Sequence, residues 1–127
     1  MQISEKVLYP ELSYEIMGSA FDVFNKTGFG MPEKYYQKAF AIELEKRKIV
    51  YEKEKNVDVE YDNEIIGKYF LDFVVDNKVV IELKVRSRFG YVHIKQALKY
   101  LKMGNYKLAI LIYFTNDGVK YKRVLNA

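Results

Sequence analysis

The sequence predicts an α/β layered domain in which helices flank a mixed central sheet. Three observations carry that expectation. Two amphipathic helical stretches open the chain, and a group of β-rich runs punctuated by Asp-Asn pairs follows them. A further helix then leads into Leu108 to Phe114, a continuous apolar run of the kind found in fully buried strands. The chain of 127 residues is half apolar, enough for one core in one domain over residues 1–127 without disulfides or a structural metal.

Leu12 to Lys26 reads as a helix, with Ser13 as its N-cap, Ile16, Met17, Ala20, Val23 and Phe24 on one face, and Gly28 just past its end. The tight Gly28-Phe29-Gly30 turn and Pro32, a good first-turn residue, lead to a second helix ending near Lys48. Four β-rich runs follow: Ile49 to Glu54, Val57 to Tyr61, Lys68 to Val75 and Val79 to Val85. Turns are marked at Asp62-Asn63 and Asp76-Asn77. A third helix is expected from about Tyr91 to Met103, stopped by Gly104-Asn105, and Val119 to Leu125 reads as a short last strand. The expected order is ααββββαββ, with no internal repeat or linker.

Composition excludes several chemistries. Without cysteine there is no thiolate metal site, no Cys nucleophile and no disulfide, and a single histidine argues against a multi-histidine metal centre. No run of about 18 apolar residues exists, and Glu, Lys and Asp interrupt the first 25 positions. The chain is therefore expected to have no membrane partner and to reside in the cytoplasm.

The net charge of +4 is unevenly spread. Residues 1–82 carry 11 basic and 16 acidic groups, whereas residues 83–127 carry 10 basic groups and one acid, Asp117. A basic half of this kind suits a polyanionic partner, although a solvated helix face with unused lysines would look the same.

The strands around Asp76-Asn77 hold the chemistry. Side chains alternate along a strand, so Glu82 and Lys84 project from one face. If residues 76–78 form a three-residue loop, Val75 faces Val79 and Asp72 falls opposite Glu82, which collects Asp72, Glu82 and Lys84 at one place. A two-residue loop would set Asp72 against Ile81 instead. Charged groups in such apolar strands are costly unless paired or bound to metal. Two carboxylates converging on one ion suit Mg²⁺ (or Mn²⁺), and a neighbouring lysine can orient water and help neutralise a scissile phosphate. The plain alternative is a structural ion pair of Lys84 with Glu82 or Asp72. Asp76 competes with Asp72 but sits at a turn, where aspartate is ordinary.

Asp72, a spacer and Glu82-Leu83-Lys84 resemble the core of the PD-(D/E)xK nuclease superfamily. Gly30-Met31-Pro32-Glu33-Lys34-Tyr35-Tyr36 resembles the pattern that names its GxxExxY family. The similarity runs from about Leu12 to Val124 and takes in Glu43-Leu44, Gly67, His93-x-x-Gln96-x-x-x-Tyr100-Leu101 and Lys122-Arg123-Val124. It implies a restriction-endonuclease-like αβββαβ core that uses Mg²⁺. On that resemblance Asp72 and Glu82 bind metal with the carbonyl of Leu83, Lys84 positions the water, Glu33 is the first-helix acid, and Gln96 is the polar residue of the third helix near the active centre. Glu33, Tyr36, Phe40 and Glu43 share one helix face, so either glutamate could serve. Arg86, Arg88, His93, Lys95, Lys99 and Tyr100 are the candidates for contacting nucleic acid, some tyrosines by stacking on bases and His93 by phosphate contact or as a helix cap. The sequence departs from the family pattern at Phe24, Glu54 and Tyr113, where His, Gln and Asn are common.

The activity expected is metal-dependent phosphodiester hydrolysis, of DNA in preference to RNA, with room for a homodimer acting on two strands. The alternative is a catalytically silent module on the same fold that binds nucleic acid or protein.

Overall fold

The structure, a computed structural model, describes residues 8–88 and 93–126. Helices α1 (Pro10–Thr27) and α2 (Glu33–Lys46) precede strands β1 (Tyr51–Tyr61), β2 (Glu64–Val75) and β3 (Val79–Val85). Helix α3 (Ile94–Gly104), β4 (Leu108–Thr115) and β5 (Gly118–Leu125) complete the order. The five strands lie in the sequence β1-β2-β3-β4-β5, antiparallel except for the parallel β3–β4 pair, which α3 connects. Parallel neighbours need such a crossover.

Two apolar layers fill the space on either side of the sheet. Ile16, Ala20, Tyr36, Phe40 and Leu44 from α1 and α2 meet Phe73, Ile81, Leu83, Ile110 and Phe114. On the other face Ala97, Tyr100 and Leu101 from α3 meet Leu71, Val80, Leu111 and Tyr113. Every residue of β4 is buried, which accounts for its uninterrupted apolar run. Among the described residues no helix is long and apolar enough to cross a membrane.

The strand count differs from the expected four before α3. Ile49 to Glu54 and Val57 to Tyr61 belong to one strand, because Glu54 takes a left-handed conformation (φ 53°) and the chain continues pairing beyond it. Residues 71 and 73 would share a face in a regular strand. Here Leu71 packs with α3 while Phe73 packs with α1 and α2, and Tyr51 and Val57 of β1 divide in the same way. Both strands thus turn over together between Lys53↔Phe73 and Lys55↔Leu71, the interval that holds Glu54 and Asp72. Strand β2 also starts at Glu64, earlier than Lys68.

Ser13 is no N-cap. Pro10 opens α1 after Tyr9, and Ser13, buried inside the helix, accepts a 2.7 Å hydrogen bond from the Arg123 guanidinium. The expected start of the third helix at Tyr91 lies outside the described residues.

Candidate active site

The hairpin register creates the site. Val75 pairs with Val79, Val74 with Val80 and Phe73 with Ile81, so residues 76–78 form the odd-length loop and the next positions outward are Asp72 and Glu82. Regular pairing stops there and the two carboxylates take its place. The Asp72 amide donates to the Glu82 carboxylate at 3.1 Å, and the Leu83 amide donates to the Asp72 carboxylate at 2.8 Å. A strand residue points its N–H and C=O to one side, so the Leu83 carbonyl also faces the gap beside Asp72.

The electrostatics are unfavourable for two bare carboxylates. Glu82 is 5% exposed, and burial, followed by the charge of Asp72, pushes it up to about 8. Burial also raises Asp72, against the opposing bond from the Leu83 amide and the charge of Lys84. Lys84 lies two residues from Glu82 on the α3 face of β3, beside Tyr113 of β4, and is half-buried. Among the described residues it forms no ion pair within 4.0 Å. No group of three or more His, Cys, Asp or Glu side chains placed to hold a metal occurs among the described residues either. What this end of the hairpin could offer a cation is two carboxylates and a carbonyl, an all-oxygen set that would leave positions for water and phosphate and suit a hard divalent ion.

Helix α2 presents Glu33 at its first residue. The turn before it needs glycine at Gly28 (φ 69°) and Gly30 (φ 122°), since side chains disfavour these conformations. Tyr36 fastens that turn. Its hydroxyl donates to the Gly28 carbonyl and accepts from the Met31 amide, while its ring stacks on Phe114 at 4.5 Å. Glu33 stands 3.8 Å from Arg86, and its charge acts on Asp72, Glu82 and His93. Glu43 is committed elsewhere. Buried on α2, it accepts from Lys26 at 2.8 Å, lies 3.6 Å from Lys46, and is held below its usual value chiefly by the Lys26 bond. Of the two glutamates, Glu33 is the one whose charge reaches Asp72 and Glu82.

The other expected residues divide. Arg88, Lys95, Gln96 and Lys99 are exposed, and Arg86, also exposed, leans toward Glu33 and donates to the Val85 carbonyl. Tyr100 does not form a stacking surface for bases: it is 6% exposed and packs on Tyr69 at 5.0 Å. Burial and the nearby Glu82 push its phenol up to about 12. His93 starts α3 without a side-chain cap and instead contacts the Tyr113 hydroxyl through Nδ1 at 2.7 Å.

The sequence reading gave no site role to two residues. Tyr113 contacts His93 across 20 positions, which spacing does not reveal. Glu54 acts on Asp72 and lines a groove of about 450 Å³ with Gln37, Phe70, Leu71 and Asp72. The gap between the two β-rich runs, at residues 55–56 just after Glu54, is the visible trace of its kink. A larger cavity of about 570 Å³, lined by Tyr14, Phe21, Arg47, Tyr121 and Arg123 among others, has no carboxylate in its wall.

A nuclease family model matches residues 10–124. The chain belongs to the PD-(D/E)XK nuclease superfamily. Members of this superfamily are usually metal-dependent nucleases, and the mixed five-stranded sheet flanked by helices is its restriction-endonuclease-like fold. Among solved structures, the crystal structure of SSO0001 is similar in fold, with a TM-score of 0.54 and 12% identity over 94% of this chain and 78% of that one. A comparison with curated proteins finds no match.

Proposed function

We propose that this PD-(D/E)XK protein is a nuclease of GxxExxY type that hydrolyses phosphodiester bonds with Mg²⁺ or Mn²⁺, of DNA in preference to RNA. The observation that carries the reading is the pair of converging carboxylates at the end of the β2–β3 ladder, Glu82 buried and Asp72 half-buried, with Glu82 accepting from the Asp72 amide and Asp72 from the Leu83 amide, and neither in an ion pair among the described residues. Two such groups are costly as they stand, and a divalent cation removes the cost. Asp72, Glu82 and the Leu83 carbonyl would hold it, and Glu33 would add negative charge to its surroundings. When bound, the ion lowers the pKa of a water and neutralises phosphate charge. Lys84, which faces the same side as Glu82, would orient an attacking water toward phosphorus as the bond to the leaving oxygen breaks. Arg88, Lys95 and Lys99 grip neighbouring phosphates, and Gln96 contacts the substrate from α3.

The test uses the whole chain and its Lys84→Ala and Glu82→Ala variants on single-stranded, duplex and branched DNA and on RNA, with Mg²⁺ or EDTA. Metal-dependent cleavage by the parent, lost in both variants, is expected. Cleavage that survives EDTA, or both substitutions, removes the assigned site. Binding to every substrate with no cleavage turns the reading to a silent nucleic-acid-binding module. Light scattering on the same samples, free and with DNA, shows whether a homodimer acts.

A further inference from the structure

The change of facing at Glu54 and Asp72 also decides where Phe70 goes. In a regular strand Phe70 would share a face with Asp72 and Val74, under α3. Because Leu71 takes the α3 side instead, Phe70 is turned to the other face, toward α2. It does not join the apolar layer there. The ring is 62% exposed, and among the described residues no aromatic ring or cation stacks on it. A single exposed ring is ordinary on a protein surface. This one lines the groove of about 450 Å³ that also holds Gln37, Glu54 and Asp72, within reach of whatever Asp72 acts on.

The polar wall of the groove selects its occupant. Gln37 supplies an amide, and Glu54, exposed and in no ion pair among the described residues, supplies a carboxylate that only accepts hydrogen bonds. Among the described residues no lysine or arginine lines the groove, so a phosphate is repelled from it. A flat, neutral ring that carries an amino group suits both the Phe70 face and the acceptors beside it.

We propose that this groove takes one unpaired nucleobase of the substrate strand, stacked on Phe70 with its amino group held by Glu54 and Gln37, next to the phosphate at Asp72 and Glu82. A base inside a duplex has both faces covered by its neighbours, so the site demands a nucleotide that is single-stranded, at a frayed end or at a branch. Glu54 favours cytosine or adenine, whose amino groups donate, and opposes thymine, which presents a carbonyl in the same position. Cleavage at that phosphate rests on the nuclease reading, which this base site deepens, whereas the stacking itself does not.

The chain has no tryptophan, so Phe70→Trp installs a single indole in the groove. With EDTA present to prevent cleavage, short single-stranded oligo-dC should quench its fluorescence along the same curve that anisotropy of the labelled strand gives for binding. Tyr61→Trp, a reporter at the exposed hairpin tip, should not respond, and a fully paired duplex should bind with little quenching. Phe70→Ala should weaken single-strand binding about 5- to 100-fold, the range for one stacked base. Phe70→Tyr should keep the parental affinity, and Phe70→Leu, apolar but without a ring, should not. The parent should hold oligo-dC about 5-fold or more tighter than oligo-dT, and Glu54→Gln, whose amide also donates to a carbonyl, should level the two. A bound strand without quenching, equal quenching of both reporters, equal quenching by duplex, or equal affinity for oligo-dC and oligo-dT overturns the proposal. So does failure to bind any strand, DNA or RNA. Quenching by strands that the parent never cleaves in Mg²⁺ keeps the base site and removes the nuclease reading, while cleavage without quenching does the reverse.

Discussion

Two glutamates are almost equally hidden from solvent in this protein, Glu43 at 6% exposure and Glu82 at 5%. Glu43 lies against the sheet's α1–α2 side, where Lys26 and Lys46 answer its charge and hold it below its usual value. Glu82 faces α3, has a second carboxylate for a neighbour and rises to about 8. Low exposure alone therefore does not fix how a hidden acid titrates. Depth and partners decide it: Glu43 has two lysines within 4.0 Å, whereas among the described residues Glu82 forms no ion pair and has Asp72 for a neighbour.

The largest effect should come from exchanging the two residues' fates. Glu82→Gln is expected to abolish cleavage, by about 10³-fold or more, and to raise the melting temperature of the metal-free protein because a buried carboxylate disappears. Glu43→Gln should leave cleavage within a few-fold and lower the melting temperature. Parallel activity and thermal-unfolding measurements check both, and a loss of cleavage with Glu43→Gln would erase the distinction.

Metal binding sharpens it next. Mg²⁺ or Mn²⁺ at about 100 times its dissociation constant should stabilise the parent by about 2.7 kcal/mol. Asp72→Asn and Glu82→Gln should lose most of that stabilisation in calorimetry, while Glu43→Gln keeps it.

The two residues should also respond oppositely to pH. The folded-state value of Glu82 is raised above its ordinary 4.5, so its stabilising effect in the metal-free protein is fully present below 4.5 and is lost as pH rises to about 8. Glu43 is lowered, so its contribution is present above 4.5 and fades in acid. Because a proton competes with the cation for Glu82, metal affinity should tighten with rising pH and level off above about 8. Titration calorimetry from pH 6 to 9 measures this, and a flat profile would contradict it.

The smallest expected effect is on Tyr36→Phe, which keeps the stacking on Phe114 but removes the clamp on Gly28. A cost of about 1 kcal/mol in unfolding free energy with a several-fold fall in kcat would show that the turn positions Glu33.

Much of the site was legible because strand geometry is periodic. Once residues 76–78 are a three-residue loop, alternation alone brings Asp72 opposite Glu82 and puts Lys84 on the face of Glu82. The buried strand β4 and the helix stops at Gly28 and Gly104-Asn105 followed from equally local signals. What failed to show is non-local or conformational. Lys26 meets Glu43 across 17 positions and Tyr113 meets His93 across 20, and spacing along a helix or strand cannot foresee either. Glu54 appeared to end a strand because its left-handed backbone breaks the alternation, although the strand goes on. Tyr100 lies on an arc with the exposed Gln96, and only the packing of α3 on Tyr69 buries its ring.

The turnover of β1 and β2 at Glu54 and Asp72 has a consequence for how this chain can change over evolutionary time. Inserting or deleting one residue between Asp72 and Glu82 would shift the alternation that joins them, so that stretch tolerates little variation in length. Beyond the kink, residues 55–71 form a hairpin whose parity is reset and whose exposed tip carries Tyr61, Ile65 and Ile66. Length and composition can drift there without disturbing the acidic pair. The same sheet thus joins a segment of fixed length to one whose tip is free to vary in length and composition.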